Sequence, residues 1–217
     1  MALSFDMFWS FRSPYSYLAT KRIVGLEQRY DMSVNVRPVY PLAVRVDGFF
    51  KKVDPLWVRY LARDTFRIAQ MEGLPYGPPR PDPIVMDMAT GDVSKDQPYI
   101  HRLTRLGMAA VERGRGLAFL DEVSTLIWGG GTDDWTRGDQ LAQATARAGL
   151  ELADLDAAAI AHVDRFEAAI EANQNALADL GHWGVPTFGF MGEPFFGQDR
   201  IDALIWRMKQ HGLVERT

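Results

Sequence analysis

Along residues 3–9 apolar and polar side chains alternate. Leu3, Phe5, Met7 and Trp9 fall on one face, with Ser4, Asp6 and Phe8 on the other. A period of two over this length predicts a strand with one strongly apolar face. From Pro14 the period lengthens: Tyr15, Leu18, Ala19, Ile23, Leu26 and Tyr30 recur at helical spacing, with Lys21, Arg22, Glu27 and Gln28 elsewhere on the helix. Ser13 then takes the N-cap and Pro14 the first helical position, where the missing N–H of proline costs nothing. Residues 33–37 alternate again and stop at Pro38. Strand, helix and strand in such close succession predict a βαβ unit with its strands parallel.

The middle of the chain carries helical patterns. They run over 55–72, 97–113, 116–128, 136–148 and 155–180, with Leu56, Tyr60, Leu61, Phe66 and Ile68 as inward positions of the first. Gly149 and Gly181 stand at expected left-handed C-caps. The five prolines of residues 74–83 predict an extended loop, and Gly129–Gly131 a linker. From Val185 to Gly197 the β pattern returns as two short strands about a Gly192–Glu193 turn, followed by a helix with Ile201, Leu204, Ile205 and Met208 on one face. The pattern predicts an α/β fold: a βαβ…ββα sheet domain, residues 1–40 and 182–217, enclosing a helical insertion, residues 41–181.

Composition narrows the chemistry. The net charge of −4 and the scatter of basic residues among 217 argue against a nucleic-acid binder. With no cysteine, disulfides, thiolate metal sites and a cysteine nucleophile are excluded. The N-terminus lacks a basic region and carries Asp6 inside its apolar run, so no signal peptide is expected. No window reaches the roughly 20 apolar residues of a membrane span, and the expectation is a soluble, cytoplasmic protein. His101, His162, His182 and His211 show no metal-ligand spacing, and Asp133-Asp134 reads as a helix start, so no metal is assigned.

Three stretches carry candidate chemistry. Ser13-Pro14-Tyr15-Ser16 is a helix cap; it is also a place where free N–H groups and a hydroxyl meet an anion. The sequence shows no convincing neighbouring base to activate the serine as a nucleophile, and Arg12 either adds a permanent positive charge or faces solvent. Val185-Pro186 starts a strand; a cis bond there would free the Val185 backbone to pair with a peptide-like ligand. Phe196–Arg200 is an acidic helix start, or a site where Asp199 meets a ligand ammonium and helix-end N–H groups meet its carboxylate.

Taken together, "SPYSYLA" after the first strand, "RPV" closing the second, "YLARD", "GVPTF" and "FFGQDR" resemble the 2-hydroxychromene-2-carboxylate isomerase and kappa-class glutathione transferase group. These are thioredoxin-fold proteins with a helical insertion, related to disulfide oxidoreductases. The resemblance places serine where the oxidoreductases have the first cysteine of Cys-x-x-Cys. It implies glutathione as cofactor, with Ser13 as the catalytic residue donating to its thiolate, Val185 before a cis-Pro186 pairing with its cysteinyl backbone, and Gln198 and Asp199 holding its γ-glutamyl end. It further implies a homodimer and a small aromatic carboxylate substrate, isomerised by reversible thiolate addition. Conjugation or peroxide reduction of the kappa-class type, and a non-catalytic binding protein, are the alternatives. The chain departs from the group at Arg12, where an aliphatic residue is usual, and over residues 40–55. There Arg45, Lys51 and Lys52 are candidate partners for a ligand carboxylate, or solvated surface residues. Phe8, Trp9, Trp57, Tyr60, Trp128 and Trp183 are candidates for an aromatic cavity wall, or core.

Overall fold

A computed structural model describes residues 3–87 and 89–216. β1 (Leu3–Trp9), α1 (Pro14–Arg29) and β2 (Met32–Pro38) form the expected βαβ unit, with Leu3 opposite Met32 and Trp9 opposite Pro38 in parallel register. β3 (Thr187–Phe190) lies antiparallel to β1 and β4 (Glu193–Phe196) antiparallel to β3, giving the order β2-β1-β3-β4. The hairpin turn is Met191-Gly192, both at positive φ, as a two-residue loop matched to strand twist requires. The predicted Gly192–Glu193 turn is therefore one residue late: Glu193 already belongs to β4, opposite Phe190.

The two faces of β1 are buried by different helices. Phe5, Met7 and Trp9 enter the main core, while Phe8 joins Val39 and Leu177 in a small cluster on the other face. On that face the last helix of the insertion comes close to the sheet. A Cβ at Gly189 would stand 2.8 Å from Leu180 Cδ2, so a side chain there would push the Leu180 methyl aside. The main core runs without interruption from the sheet into the helical block; Trp9 meets Phe11 edge-on at 4.6 Å, and Phe11 meets Phe119 at 6.2 Å.

Between β2 and β3 lie α2 (Leu42–Arg45), α3 (Phe49–Lys52), α4 (Pro55–Met71), α5 (Pro98–Glu112), α6 (Gly116–Trp128), α7 (Gln140–Arg147), α8 (Leu152–Ala161) and α9 (Val163–Asp179); α10 (Ile201–Gln210) closes the chain. α2 and α3 have no counterpart in the periodicity. The helix predicted over 155–180 is two, divided at His162. Its apolar stripe, Leu155, Ala159, Phe166 and Ile170, keeps helical spacing across the break, so the pattern carries no mark of it. The break lets α8 pack on α5 and α7 while α9 turns onto β2.

α4 also differs from expectation. Only Thr65, Ile68 and Ala69 near its end are buried; Leu56, Tyr60 and Phe66 are exposed. Its first turns stand over a cavity rather than on the core. Gly149 and Gly181 take positive φ at the ends of α7 and α9. Among the described residues no helix is long and apolar enough to cross a membrane.

Candidate active site

β1 ends at Trp9, whose indole N–H donates to Ser16 O (3.1 Å) and Thr20 Oγ1 (2.9 Å) and so fixes the first turns of α1 against the strand. Ser13 caps that helix with extended φ and ψ. Its Oγ accepts from the Ser16 N–H at 3.2 Å and donates to the Val185 carbonyl at 3.1 Å, across 172 residues of chain. The Val185–Pro186 peptide is cis. Thr187 Oγ1 donates to Gly184 O at 2.7 Å, and the Gly197 N–H donates to Pro186 O at 2.9 Å. The serine turn, the cis-proline loop and the start of "GQDR" thus meet through hydrogen bonds.

Gln198 and Asp199 lie on a short 3-10 turn (Gln198–Arg200) leading into α10 and packed against α1. Gln198 is buried, its carbonyl held by Arg22 Nη1 at 3.1 Å. Its side-chain amide makes no hydrogen bond among the described residues and keeps some access to solvent. The Asp199 carboxylate is exposed and accepts from Arg200 Nη1 at 2.9 Å.

Ser13 lies at the floor of a cavity of about 330 Å³, with Arg12 and Val185 beside it. Its walls are apolar: Leu42 of α2, Phe49 and Phe50 of α3, Trp57, Val58 and Leu61 of α4, and Trp183 and Phe196 from the sheet end. Of the six aromatic candidates, Trp57 and Trp183 line this space. Phe8 and Trp9 are core; Trp128 is buried with its N–H on Phe11 O (2.9 Å); Tyr60 is exposed, its hydroxyl 3.2 Å from Asp64 Oδ1. Phe49, Phe50 and Phe196 join this wall from outside those six. The Phe49-Phe50 pair was visible in the divergent stretch, but no period marked it as a wall.

The three candidate cations are engaged elsewhere. Arg45 donates to Tyr40 O (2.7 Å) and Trp183 O (2.8 Å), tying the end of β2 to the cavity rim, and burial lowers its pKa. Lys51 pairs with Asp92 at 2.5 Å, and Lys52 donates to Asp47 O at 2.9 Å. Tyr15, on the cavity wall, donates to Asp64 Oδ2 at 2.8 Å. Burial first, and Asp64 second, hold its phenol protonated well above the ordinary range.

His182 supports the cis-proline loop. Its Nδ1 accepts the Gly184 N–H at 3.0 Å, and its ring stacks on Phe196 at 4.0 Å. Burial pushes its pKa below 6.5, and a protonated Nδ1 could not accept that N–H. The neutral ring is the one the fold selects. Its contribution to stability is complete above about pH 6.5 and is lost as pH falls through the depressed folded value. His182→Asn, which keeps an acceptor but does not titrate, is expected to flatten the loss of stability between about pH 7 and 5. Urea unfolding at several pH values checks this; identical slopes in both proteins would refute it.

A family model described as the DSBA-like thioredoxin domain matches residues 5–209. The chain belongs to the DSBA-like thioredoxin domain family. Among solved structures, this DSBA-like domain is similar to a 2-hydroxychromene-2-carboxylate isomerase, at 22% identity and a TM-score of 0.68 over 96% of this chain and 95% of the other. It is also similar to the cytosolic disulfide reductase DsbM from Pseudomonas aeruginosa, at 19% identity and a TM-score of 0.57 over 96% and 100%. DsbM solved with glutathione matches at 18% identity and a TM-score of 0.57 over 95% and 100%. At these identities the likeness is one of fold. A search of curated proteins gives no match. The motifs "SPYS", "GVPTF" and "FFGQDR", which carried the resemblance, all fall within the matched residues.

Proposed function

We propose that this DSBA-like domain is a glutathione-dependent isomerase of the 2-hydroxychromene-2-carboxylate type, acting on a small aromatic carboxylate. One observation carries the reading. In a chain without cysteine, the Ser13 hydroxyl stands at the N-terminal end of α1 on the floor of an apolar, aromatic-walled cavity, within hydrogen-bond reach of Val185. Dithiol chemistry has no sulfur of its own here. Glutathione, when bound, supplies the nucleophilic thiolate for reversible addition to a conjugated substrate.

The residues present fit that tripeptide. The Val185 N–H makes no hydrogen bond among the described residues and stands free to pair with a peptide backbone. The Gln198 side-chain amide, free of protein partners among the described residues, has both a donor and an acceptor to offer, and Asp199 supplies a carboxylate beside it for an ammonium group. Ser13 keeps its acceptor bond from Ser16 and turns its proton from a neutral carbonyl to an anion, a stronger acceptor. The α1 terminus favours negative charge at the same place, lowering a thiol there from its free value of about 8.5. Apolar walls exclude water from the substrate.

Calorimetric titration with glutathione and with S-methylglutathione tests the cofactor. One-site binding is expected, weakened about tenfold when the sulfur is blocked, as for loss of one charge-assisted hydrogen bond. No binding at millimolar glutathione overturns the proposal. The reaction is then assayed as glutathione-dependent interconversion of 2-hydroxychromene-2-carboxylate with its ring-opened isomer. Faster turnover of chlorodinitrobenzene than of the chromene would assign transferase chemistry instead.

A further inference from the structure

Among the described residues lining the cavity, Arg12 alone carries a formal charge. Its position is fixed from two sides. The guanidinium carbon lies 5.9 Å from the centre of the Trp128 ring, and Trp128 is itself held by its hydrogen bond to Phe11 O and by stacking on Tyr76. From the other side Asp82 Oδ1 approaches Nε at 2.5 Å. Nη1 and Nη2 donate no hydrogen bond among the described residues, and the Arg12 side chain is 23% exposed. A guanidinium has five N–H donors in a planar fork suited to a carboxylate. Here Nε meets the Asp82 charge without a hydrogen bond, the terminal nitrogens have no partner among the described residues, and Arg12 belongs to the lining of a cavity whose other walls are apolar.

From this we infer that Arg12 is the specificity-determining residue of the cavity, gripping a substrate carboxylate through its terminal nitrogens. The inference rests on reading the cavity as a substrate site, but not on glutathione. Arg12 directly precedes Ser13 and both line the same cavity, so a ligand held by Arg12 shares that space with the position proposed for the sulfur. Its aromatic body then lies against Trp57 and Trp183. The apolar surroundings strengthen the attraction between the two charges. Asp82 has a double effect. Its charge anchors the guanidinium, and the same charge weakens the hold on a second anion.

The test uses 2-naphthoate and 2-naphthamide, which match in shape and differ in charge, with binding read by quenching of tryptophan fluorescence in the absence of glutathione. The wild-type chain is expected to bind the carboxylate about 10- to 100-fold more tightly, the contribution of a hydrogen-bonded charge pair. Arg12→Met should abolish this preference and leave naphthamide binding unchanged. Asp82→Asn should bind naphthoate at least as tightly as the wild type. Equal binding of both ligands by the wild type, no binding of either, or parallel loss of both in Arg12→Met would overturn the inference. So would an Asp82→Asn variant as defective as Arg12→Met, because the ion pair would then act only by holding the loop. Glutathione titrated into the same proteins separates the two readings. If it fails to bind while the naphthoate preference stands, the cofactor is wrong and Arg12 is retained. If it binds while the preference is absent, Arg12 is wrong and the cofactor is retained.

Discussion

Ser13→Ala is expected to lower glutathione-dependent turnover about 100- to 1,000-fold, the usual effect of removing one donor from a developing or resident anion. Glutathione affinity should fall by less than about tenfold, because one bond among several is lost. The asymmetry follows from the geometry. Among the described residues Ser13 Oγ hydrogen-bonds only to Ser16 and Val185, so its removal leaves the Val185 backbone, Gln198 and the α1 terminus in place to bind. What disappears is the single hydroxyl proton that can follow charge on the sulfur. Loss of the cap also leaves the Ser16 N–H without its partner, at a cost of about 1 kcal/mol in stability, too little to unfold the chain. Steady-state kinetics and calorimetry on the same preparation check the split. Equal loss of affinity and turnover would make Ser13 a binding residue only, and unchanged turnover would remove it from the site.

The parts of this site differ in how far they could be read from sequence. The strands and α1 were legible because burial on one face imposes a period, and Ser13-Pro14 marked the helix start by cap chemistry. The three short motifs were visible one by one, yet each alone was an ordinary cap or turn. Their meeting depends on the hydrogen bonds of Ser13 to Val185 and of Gly197 to Pro186, which link distant parts of the chain. The cavity walls were less legible. Phe49, Phe50, Trp57 and Leu61 line a hollow, with Phe49 and Phe50 also packed against the edge of the core, and a residue turned to a hollow follows no burial period. Leu56, Tyr60 and Phe66, inward by the pattern, line neither core nor cavity and are exposed in the fold. Trp9 and Trp128 show the converse: aromatic bulk suggested a wall, and packing made them core. The break at His162 escaped because two helices sharing one stripe leave the spacing intact.

Trp9→Ala is expected to cost about 3–5 kcal/mol of stability, the range for removing a fully buried large aromatic. Against a total of about 5–15 kcal/mol for a native domain, this brings the chain to the edge of unfolding. Trp9 has no exposed surface, packs edge-on against Phe11, and donates to both Ser16 O and Thr20 Oγ1. Urea unfolding at constant slope measures the loss; a cost below about 1 kcal/mol would contradict the packing described, since cavities of this size do not close freely. Trp9→Phe separates bulk from hydrogen bonding. It keeps most of the apolar volume, and Thr20 Oγ1 still donates to Ser16 O at 2.7 Å, so neither acceptor is stranded and the cost should be only about 1–2 kcal/mol. That milder variant bears on function as well. Trp9 is the last residue of β1 and grips the turn that Ser13 caps, so without the indole N–H the serine keeps its chemistry but loses a constraint on its position. Trp9→Phe should therefore bind glutathione normally and turn over more slowly, whereas a Trp9 that served only as core filling would leave turnover unchanged.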